Sequence, residues 1–353
     1  LNYYHWQECP GAFKKKDVWE TDPDSEYYLE DKNDCDYEGY MDIDEFMYWC
    51  RDVIGAKAAI GINYASGWRY DRLEDSIQEA VGLIQHCMDN GYRIHFCFLG
   101  NELYRGFHTA EEYATIIRDF SQAIHDVDPR IEIVVSEINK MNREGVWTGW
   151  TKILLEQAGE YWDIADVHLK WARLDSSWEK YIHQAPLLNQ RHDYSGPTYR
   201  KDINDWYDRV GSLGYDQKIG SLEWGVGPTG NPEDNMSSYQ CGMVLSEMFM
   251  QFMESGFHIA CLYPGSFEAG MPRGLIDPET LERLPGFYMF KLFKPSLGHK
   301  LVKSTCNRKD LALVAVRSND GQTLLIYILN KSVPSNVSVN LVGEDILSCN
   351  QKT

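Results

Sequence analysis

The stretch Arg93-Ile-His-Phe-Cys-Phe-Leu-Gly-Asn-Glu102 joins an apolar run to a polar end. The apolar run has the length and composition of a strand that is buried on both faces. An amphipathic helical pattern over residues 73–90 precedes it, and Gly91 ends that pattern as glycine commonly ends a helix. A helix that leads into a buried strand is the repeating unit of a parallel sheet covered by helices.

The same unit recurs through about residue 295. Strands are predicted at residues 57–63, 93–99, 131–136, 164–168, 218–223 and 259–263, each after a helical stretch. Strands in series with evenly spaced crossovers predict an α/β fold, a closed (β/α)8 TIM barrel rather than an open sheet. Asn2-Tyr-Tyr-His-Trp6 is predicted to end a further strand. The first barrel strand is then missing, and we expect it from an upstream segment or from a fragment that stays bound.

After Pro295 the pattern changes to strands without helices. Predicted strands cover residues 312–316, 324–329 and 337–341, with turn-forming residues between them. This pattern is typical of antiparallel sheets. We therefore expect a catalytic barrel domain over residues 1–295 and a β-sandwich-like domain over residues 296–353.

Composition narrows the class of ligand. The 353 residues include 34 basic and 53 acidic ones, a net charge of −19, which argues against a nucleic-acid partner because such surfaces are basic. No run approaches the roughly 18 apolar residues of a membrane span. Aromatic residues make up 13% of the chain, with 11 Trp and 22 Tyr, and their flat faces suit neutral, ring-shaped ligands such as sugars.

The cysteines and sequons indicate the cellular compartment of the protein. Five cysteines lie in apolar patterns and are expected to be buried: Cys50, Cys87, Cys97, Cys241 and Cys261. Four lie in polar stretches and allow up to two disulfides in an oxidising compartment: Cys9, Cys35, Cys306 and Cys349. N-x-S sequons begin at Asn235, Asn330 and Asn336. These features predict a secreted, extracellular glycoprotein.

Two glutamates follow buried strands. Glu102 follows the strand at 93–99, and Glu223 ends the strand at 218–223. Catalytic side chains of a (β/α) barrel come from the carboxyl ends of its strands, so both carboxylates are expected at one rim. For either residue taken alone, the alternative interpretation is a solvated position in a loop.

These positions resemble the retaining glycoside hydrolases of clan A, across residues 2 to about 340. In that clan an Asn-Glu pair ends the fourth strand and a Glu ends the seventh, and Gly100-Asn-Glu102 and Leu222-Glu-Trp-Gly225 match the two patterns. The regions Tyr4-His-Trp-Gln7 and Leu284-Pro-Gly-Phe287 look like the α-L-arabinofuranosidases of family 51. Cys261-Leu-Tyr-Pro-Gly265 is instead similar to the agarases and porphyranases of the same clan.

The resemblance implies a division of roles. Glu102 would be the acid/base and Glu223 the nucleophile, with their carboxyl groups about 5–5.5 Å apart and no cofactor or catalytic metal. One of two carboxyls this close keeps a proton because like charges repel. Asn101 would bind the sugar hydroxyl beside the anomeric carbon.

Further rim residues are candidate sugar contacts. His168 ends the strand at 164–168, where the clan often has a histidine, with a structural imidazole as the alternative. Trp171 stands near the position where the clan commonly has a tyrosine that supports the nucleophile. Asn63 has the alternative of a turn residue. The remaining candidates are stacking residues for which core packing is the alternative: His5, Trp6, Trp224 and Tyr263.

Two charged patterns point to other ligands. Asp34, Asp36, Glu38, Gly39 and Glu45 fit the spacing of an EF-hand loop and predict a structural Ca²⁺, whereas Asp42 or Asp44 has the alternative role of a helix N-cap. The run Lys14-Lys-Lys16 is either a solvated loop or, with Lys170 and Arg173, a face for an anionic substrate.

The leading hypothesis is a retaining, α-L-arabinofuranosidase-like glycoside hydrolase that acts on a plant or algal polysaccharide. One alternative is an endo-acting, agarase- or porphyranase-like hydrolase of the same clan. Another is a non-catalytic carbohydrate-binding or structural barrel, since one fold serves many functions.

Overall fold

The computed structural model describes residues 5–6, 16–30, 41–103, 109–137, 146–171, 178–183, 197–227, 236–263, 273–332 and 336–342. The strands in these residues are β1 Ala58–Ile62, β2 Ile94–Leu99, β3 Glu132–Ser136, β4 Ile164–Asp166, β5 Leu169–Trp171, β6 Lys218–Val226, β7 Ala260–Leu262, β8 Lys300–Val302, β9 Leu311–Arg317 and β10 Leu324–Asn330. The α-helices are α1 Ile43–Tyr48, α2 Ala65–Arg69, α3 Leu73–Asp89, α4 Ala110–Val127, α5 Gly149–Ala158, α6 Trp178–His183, α7 Tyr199–Ser212, α8 Ser238–Ser255 and α9 Pro285–Phe293. A π-helical turn, Trp49–Ile54, continues α1, and short 3₁₀ turns cover Gly159–Tyr161 and Lys294–Ser296.

The first seven strands form one parallel sheet. Its order is β1-β2-β3-β4-β6-β5, with β7 also paired to β6. Both β4 and β5 pair with β6, so they are two halves of one barrel strand that is interrupted at residues 167–168. The sheet and its helices form part of a TIM barrel, which confirms the predicted fold class, and within the described residues β1 and β7 are its two ends.

Local signals explain where the helices begin and end. Thr109 caps α4 in a capping box with Glu112, and Ser237 caps α8 in the same way with Gln240. Gly91 and Gly256 follow α3 and α8 with φ of 71° and 70°, a conformation that glycine adopts without steric cost. The predicted span of α3 is therefore confirmed to within one residue.

The core lies between the parallel sheet and the helices. Leu99, Ile133 and Ile164 in the strands and Ile117 and Leu245 in the helices have no or almost no exposed surface. Burial of such side chains stabilises the fold by about 1.5–3 kcal/mol each. No helix in the described part of the chain is long and apolar enough to span a membrane.

The C-terminal sheet is antiparallel, in the order β10-β9-β8. It packs on α8, where Val314 joins the barrel core. The Lys331 ammonium lies 2.8 Å from a Glu247 carboxylate oxygen, and each side chain is only 1% exposed. The core thus continues past Pro295, and the domain boundary at 295 stays a prediction.

Two sequence expectations fail here. Residues 337–341 form no strand, and Val337 and Val339 are 41% and 48% exposed. Residues 300–302 supply the third strand instead. Cys261 is exposed rather than buried, because β7 has a sheet neighbour on one side alone within the described residues.

The other cysteines follow the expectation where they are described. Cys50, Cys87, Cys97 and Cys241 are buried, and Cys306 is an exposed free thiol within the described residues. Cys9, Cys35 and Cys349 lie outside the described residues. The predicted disulfides therefore stay a prediction.

Candidate active site

The candidate site lies where three neighbouring barrel strands reach their carboxyl ends. Glu102 comes three residues after β2, and His168 lies in the interruption between β4 and β5. Glu223 lies within β6, which extends three residues beyond its predicted end. The pairing of β6 moves from β4 to β5 around residues 221–223, so the regular ladder is interrupted at this glutamate.

His168 brings the two glutamates together. Its Nδ1 lies 3.3 Å from Glu102 Oε1 and 3.6 Å from Glu223 Oε2. One carboxylate oxygen of each glutamate and a ring nitrogen of His168 all lie within 4.8 Å of one another. Both glutamate side chains are 24% exposed, whereas His168 is 7% exposed. The two carboxylates are accessible, and the imidazole below them is buried.

Asp166 completes the support of this histidine. Its Oδ2 lies 3.3 Å from His168 Nε2, and its Oδ1 accepts a 2.7 Å hydrogen bond from the Leu222 backbone N–H. Burial disfavours a charge on His168, but the hydrogen bonds to Asp166 and Glu102 outweigh it and raise its pKa to about 9. His168 is therefore a cation at neutral pH, held between three carboxylates.

A lysine also lies close to Glu223. The Lys170 Nζ is 3.5 Å from Glu223 Oε2 and 4.1 Å from the centroid of the Tyr263 ring. Burial lowers the pKa of Lys170 to about 8, although the negative charge of Glu223 opposes the shift, and the positive charge of Arg273 adds to it. His168 and Lys170 thus both approach the same oxygen of Glu223, Oε2.

The backbone at Glu102 is strained. Glu102 has φ of 50°, in the left-handed region that costs energy for a residue with a Cβ. Gly100 has φ of 87°, and a Cβ there would lie 2.9 Å from the Tyr64 hydroxyl oxygen. The Tyr113 hydroxyl donates to the Leu99 carbonyl and accepts a 3.0 Å hydrogen bond from the Ser136 N–H. Buried tyrosines therefore fix the turn that carries Glu102.

The other predicted sugar contacts differ in how much of each side chain is exposed. Tyr263 is 39% exposed at the rim, and Asn101 is half-buried beside Glu102. Trp171 and Trp224 are fully buried and pack in the core, Trp171 against Tyr181 and Trp224 against Phe252. For these two tryptophans the structure has the core packing that was the alternative interpretation.

His5 and Asn63 lie in a separate buried cluster with Asp17, Glu79 and Ser66. His5 has no exposed surface, and its ring nitrogens lie 3.0 Å from Glu79 Oε1 and 3.1 Å from Asp17 Oδ1. Burial opposes its charge, but these hydrogen bonds raise its pKa to about 9. The Asn63 amide nitrogen lies 3.2 Å from His5 Nε2. This cluster offers a sugar no open face of His5.

Trp6 is half-buried beside that cluster. Its Nε1 donates a 3.0 Å hydrogen bond to the Glu79 carbonyl, and its ring centroid lies 4.9 Å from that of His86. These contacts hold the indole against α3.

Sequence reasoning assigned no role to two carboxylates at this rim. Asp166 ends β4, and Glu137 follows β3 and accepts a 3.3 Å hydrogen bond from the Thr148 hydroxyl at the start of α5. Glu137 is 3% exposed, so the N-terminus of α5 holds it away from solvent. The rule that pointed to Glu102, a polar residue at a strand end, would have found both.

The glutamates and His168 also have the atoms of a metal-ligand set. A metal there would require His168 to lose its proton, because an imidazole ligates a metal only in its neutral form. The predicted EF-hand loop lies largely outside the described residues, as do Lys14, Lys15 and Arg173. Glu45 is described, and its carboxylate accepts a 3.3 Å hydrogen bond from the Asp42 N–H in the capping box of α1. The alternative interpretation of Asp42 as an N-cap is confirmed.

No protein-family model and no curated protein sequence matches the chain. Solved structures do. An α-L-arabinofuranosidase from Thermotoga maritima, in complex with arabinose, is 23% identical, with a TM-score of 0.62 over 93% of this chain and 70% of that one. The family 51 enzyme from Thermotoga petrophila is 22% identical, with a TM-score of 0.62 over 94% and 70%. A family 51 α-L-arabinofuranosidase from Bifidobacterium longum is 15% identical, with a TM-score of 0.61 over 95% and 72%. This chain therefore has the fold of the family 51 α-L-arabinofuranosidases.

Proposed function

We propose that this protein is a retaining glycoside hydrolase. The observation that carries the proposal is the separation of the two rim carboxylates, with an oxygen of Glu102 and an oxygen of Glu223 within 4.8 Å. Retaining enzymes keep their carboxyl groups about 5–5.5 Å apart, whereas inverting enzymes need about 6.5–9.5 Å to admit a water molecule. The close pair favours double displacement.

In the proposed reaction, Glu223 Oε attacks the anomeric carbon while Glu102 donates its proton to the departing oxygen. A glycosyl–Glu223 ester forms, and the glycosidic C–O bond breaks. Glu102 then takes a proton from water, whose oxygen attacks the same carbon and releases Glu223. The proton of Glu102 is restored, and no cofactor takes part.

His168 and Lys170 have distinct roles in this scheme. The His168 Nδ1–H donates to Glu102 Oε1 at 3.3 Å and lies 3.6 Å from Glu223 Oε2, so the imidazole links the two glutamates, while Asp166 holds it in place. Lys170 Nζ lies 3.5 Å from Glu223 Oε2, so its positive charge attracts the carboxylate that attacks. A Glu102 with positive φ has its side chain constrained by the turn rather than free to move, which favours preorganisation.

We further propose α-L-arabinofuranosyl units of a plant or algal polysaccharide as the substrate. The likeness in fold to family 51 enzymes supports this choice, as does the Tyr263 ring, which is 39% exposed beside the site. A polysaccharide substrate and the sequons favour a secreted protein. Asn336, in one of those sequons, is exposed.

A panel of aryl glycosides, arabinan, arabinoxylan, agarose and porphyran tests the proposal, with products separated by size. We expect the wild-type protein to release arabinose, and Glu223→Ala and Glu102→Ala each to lose most of that activity. Oligosaccharide ladders would support the endo-acting, agarase-like alternative. Turnover unaffected by either substitution would refute the assigned pair, and binding without any turnover would favour the non-catalytic barrel.

A further inference from the structure

The ammonium of Lys170 occupies a position that any substrate of this site must approach. It lies 3.5 Å from Glu223 Oε2, the oxygen proposed to attack the anomeric carbon. Its side chain is 25% exposed, nearly the same as the 24% of Glu223. A sugar in contact with Glu223 therefore has its ring substituents within a few ångströms of this cation.

A second cation, Arg273, contacts the carboxyl end of β6. The Arg273 Nη1 donates a 3.3 Å hydrogen bond to the carbonyl of Val226, the last residue of β6. Its positive charge acts on Lys170. Two like charges in one region raise the electrostatic energy unless anions offset them.

The proton on Glu102 changes the net charge of the groups around Glu223. The acidic groups in direct contact with His168 or Lys170 are Asp166, Glu102 and Glu223, and the basic groups beside them are His168, Lys170 and Arg273. With every group ionised the six charges cancel. General acid catalysis needs a proton on Glu102, and that proton leaves the cluster with one surplus positive charge.

We propose that Lys170, with Arg273, selects a sugar that carries an anionic substituent, either a carboxylate or a sulfate ester, in the unit bound at or next to Glu223. This inference rests on the proposed hydrolase function and narrows its substrate class. The anion would neutralise the surplus charge and accept hydrogen bonds from the Lys170 ammonium. Its arrival would also draw the ammonium away from Glu223, leaving that carboxylate free to attack.

The test compares polysaccharides that differ in charge alone. One pair is glucuronoarabinoxylan and its carboxyl-reduced form, and the other is porphyran and its desulfated form. We expect the wild-type kcat/KM to be about tenfold or more higher for the charged member of one pair, as a charge-assisted hydrogen bond would give, and to fall toward the neutral value as salt is added. The pair that shows the preference identifies the anion.

Substitutions of Lys170 test whether the preference for the charged polysaccharide depends on this lysine. Lys170→Met should bring the charged and neutral members to within about threefold of each other, and Lys170→Arg should keep the preference. Lys218→Met, at the opposite end of β6, is the matched control and should keep it too. No wild-type preference, or an equal loss on both members in Lys170→Met, would overturn the inference.

Failure of the hydrolase proposal can be distinguished from failure of this inference. If the wild-type protein hydrolyses none of the four polysaccharides, calorimetric binding of the same pairs to Glu223→Gln still measures selectivity. Tighter binding of a charged member that is abolished by adding Lys170→Met would support the inference without the reaction. Equal affinities for charged and neutral members would refute it.

Discussion

Two histidines are buried in the described part of the chain, and they have similar partners and different surroundings. His168 contacts Asp166, Glu102 and Glu223, and His5 contacts Asp17 and Glu79. Hydrogen bonds to carboxylates raise the pKa of each imidazole to about 9 against the effect of burial. Around His168 the two glutamates are 24% exposed, whereas Asp17 is fully buried.

The difference lies in what the carboxylates do besides binding the histidine. Asp17 also accepts hydrogen bonds from the Ser66 hydroxyl, at 2.6 Å, and from the Trp19 N–H, at 2.9 Å, so its charge is satisfied inside the fold. Glu102 and Glu223 lie close together on a rim, and Glu102 has a strained backbone. Like charges held close at an accessible, strained position are typical of a reactive site, and satisfied buried charges are typical of structural support.

The largest expected effect is a loss of catalytic activity when a carboxylate of the His168 cluster is removed. Glu223→Gln should lower kcat by about 10⁴-fold or more, because removal of a nucleophile eliminates the covalent route. Glu132→Gln is the matched control, since Glu132 begins β3 at the opposite end of the barrel and pairs with Lys218 at 3.0 Å. Steady-state kinetics on the best substrate of the panel measures both. A large loss in Glu132→Gln as well would mean that carboxylate removal acts through folding.

The second expected effect is on stability. His5→Ala should lower the free energy of unfolding by about 3–5 kcal/mol, because it leaves the buried Asp17 charge without its cation. The kcat of the folded protein should change by less than about threefold, since His5 is absent from the reaction scheme. Urea denaturation and kinetics on the same sample give both values.

His86→Ala provides the control for this substitution. His86 pairs with Asp44 at 3.0 Å, but the two side chains are 29% and 49% exposed, and such pairs contribute about 0–1 kcal/mol. A His5→Ala variant with normal stability and a large loss of kcat would contradict a structural role for His5. It would instead support the sugar contact that was predicted for His5 from the sequence.

Comparing the clusters also shows how far the sequence alone can go. The strands and Glu102 and Glu223 could be predicted because an apolar run followed by a carboxylate is a local pattern. The separation of His5 from His168 could not, because each histidine follows a strand-like stretch and only tertiary packing decides its burial. Trp171 and Trp224 present the same difficulty, since a tryptophan near a strand end either stacks on a ligand or fills the core.

Two further features could not be predicted from the sequence, because they depend on how the strands pair. The interruption between β4 and β5 places Asp166 beside His168, and it depends on the switch in the pairing of β6. The polar alternation of residues 337–341 predicts a strand, but residues 300–302 form the third strand of the sheet by pairing with β9. Neither fact can be obtained from a local stretch of sequence.

The smallest expected effect is on the pH dependence of stability. The pKa of His5 is raised from about 6.5 in the unfolded chain to about 9 in the folded one, so its stabilisation is complete below pH 6.5 and is lost as the pH rises through 9. Between pH 6 and 9.5 the wild-type free energy of unfolding should fall by up to about 3 kcal/mol more than that of His5→Gln. Equal slopes in urea titrations of the two proteins would show that His5 does not carry this charge.

The most direct test of the central claim is the anomeric configuration of the product when azide replaces the lost carboxylate of Glu223→Ala. Azide would occupy the space of the missing side chain and attack the anomeric carbon from the face that Glu223 uses. The roles assigned to Glu223 and Glu102 predict that azide restores turnover of an activated aryl glycoside and that proton NMR detects a glycosyl azide of inverted configuration. A glycosyl azide of retained configuration, the result expected for loss of the acid/base, would contradict the assignment.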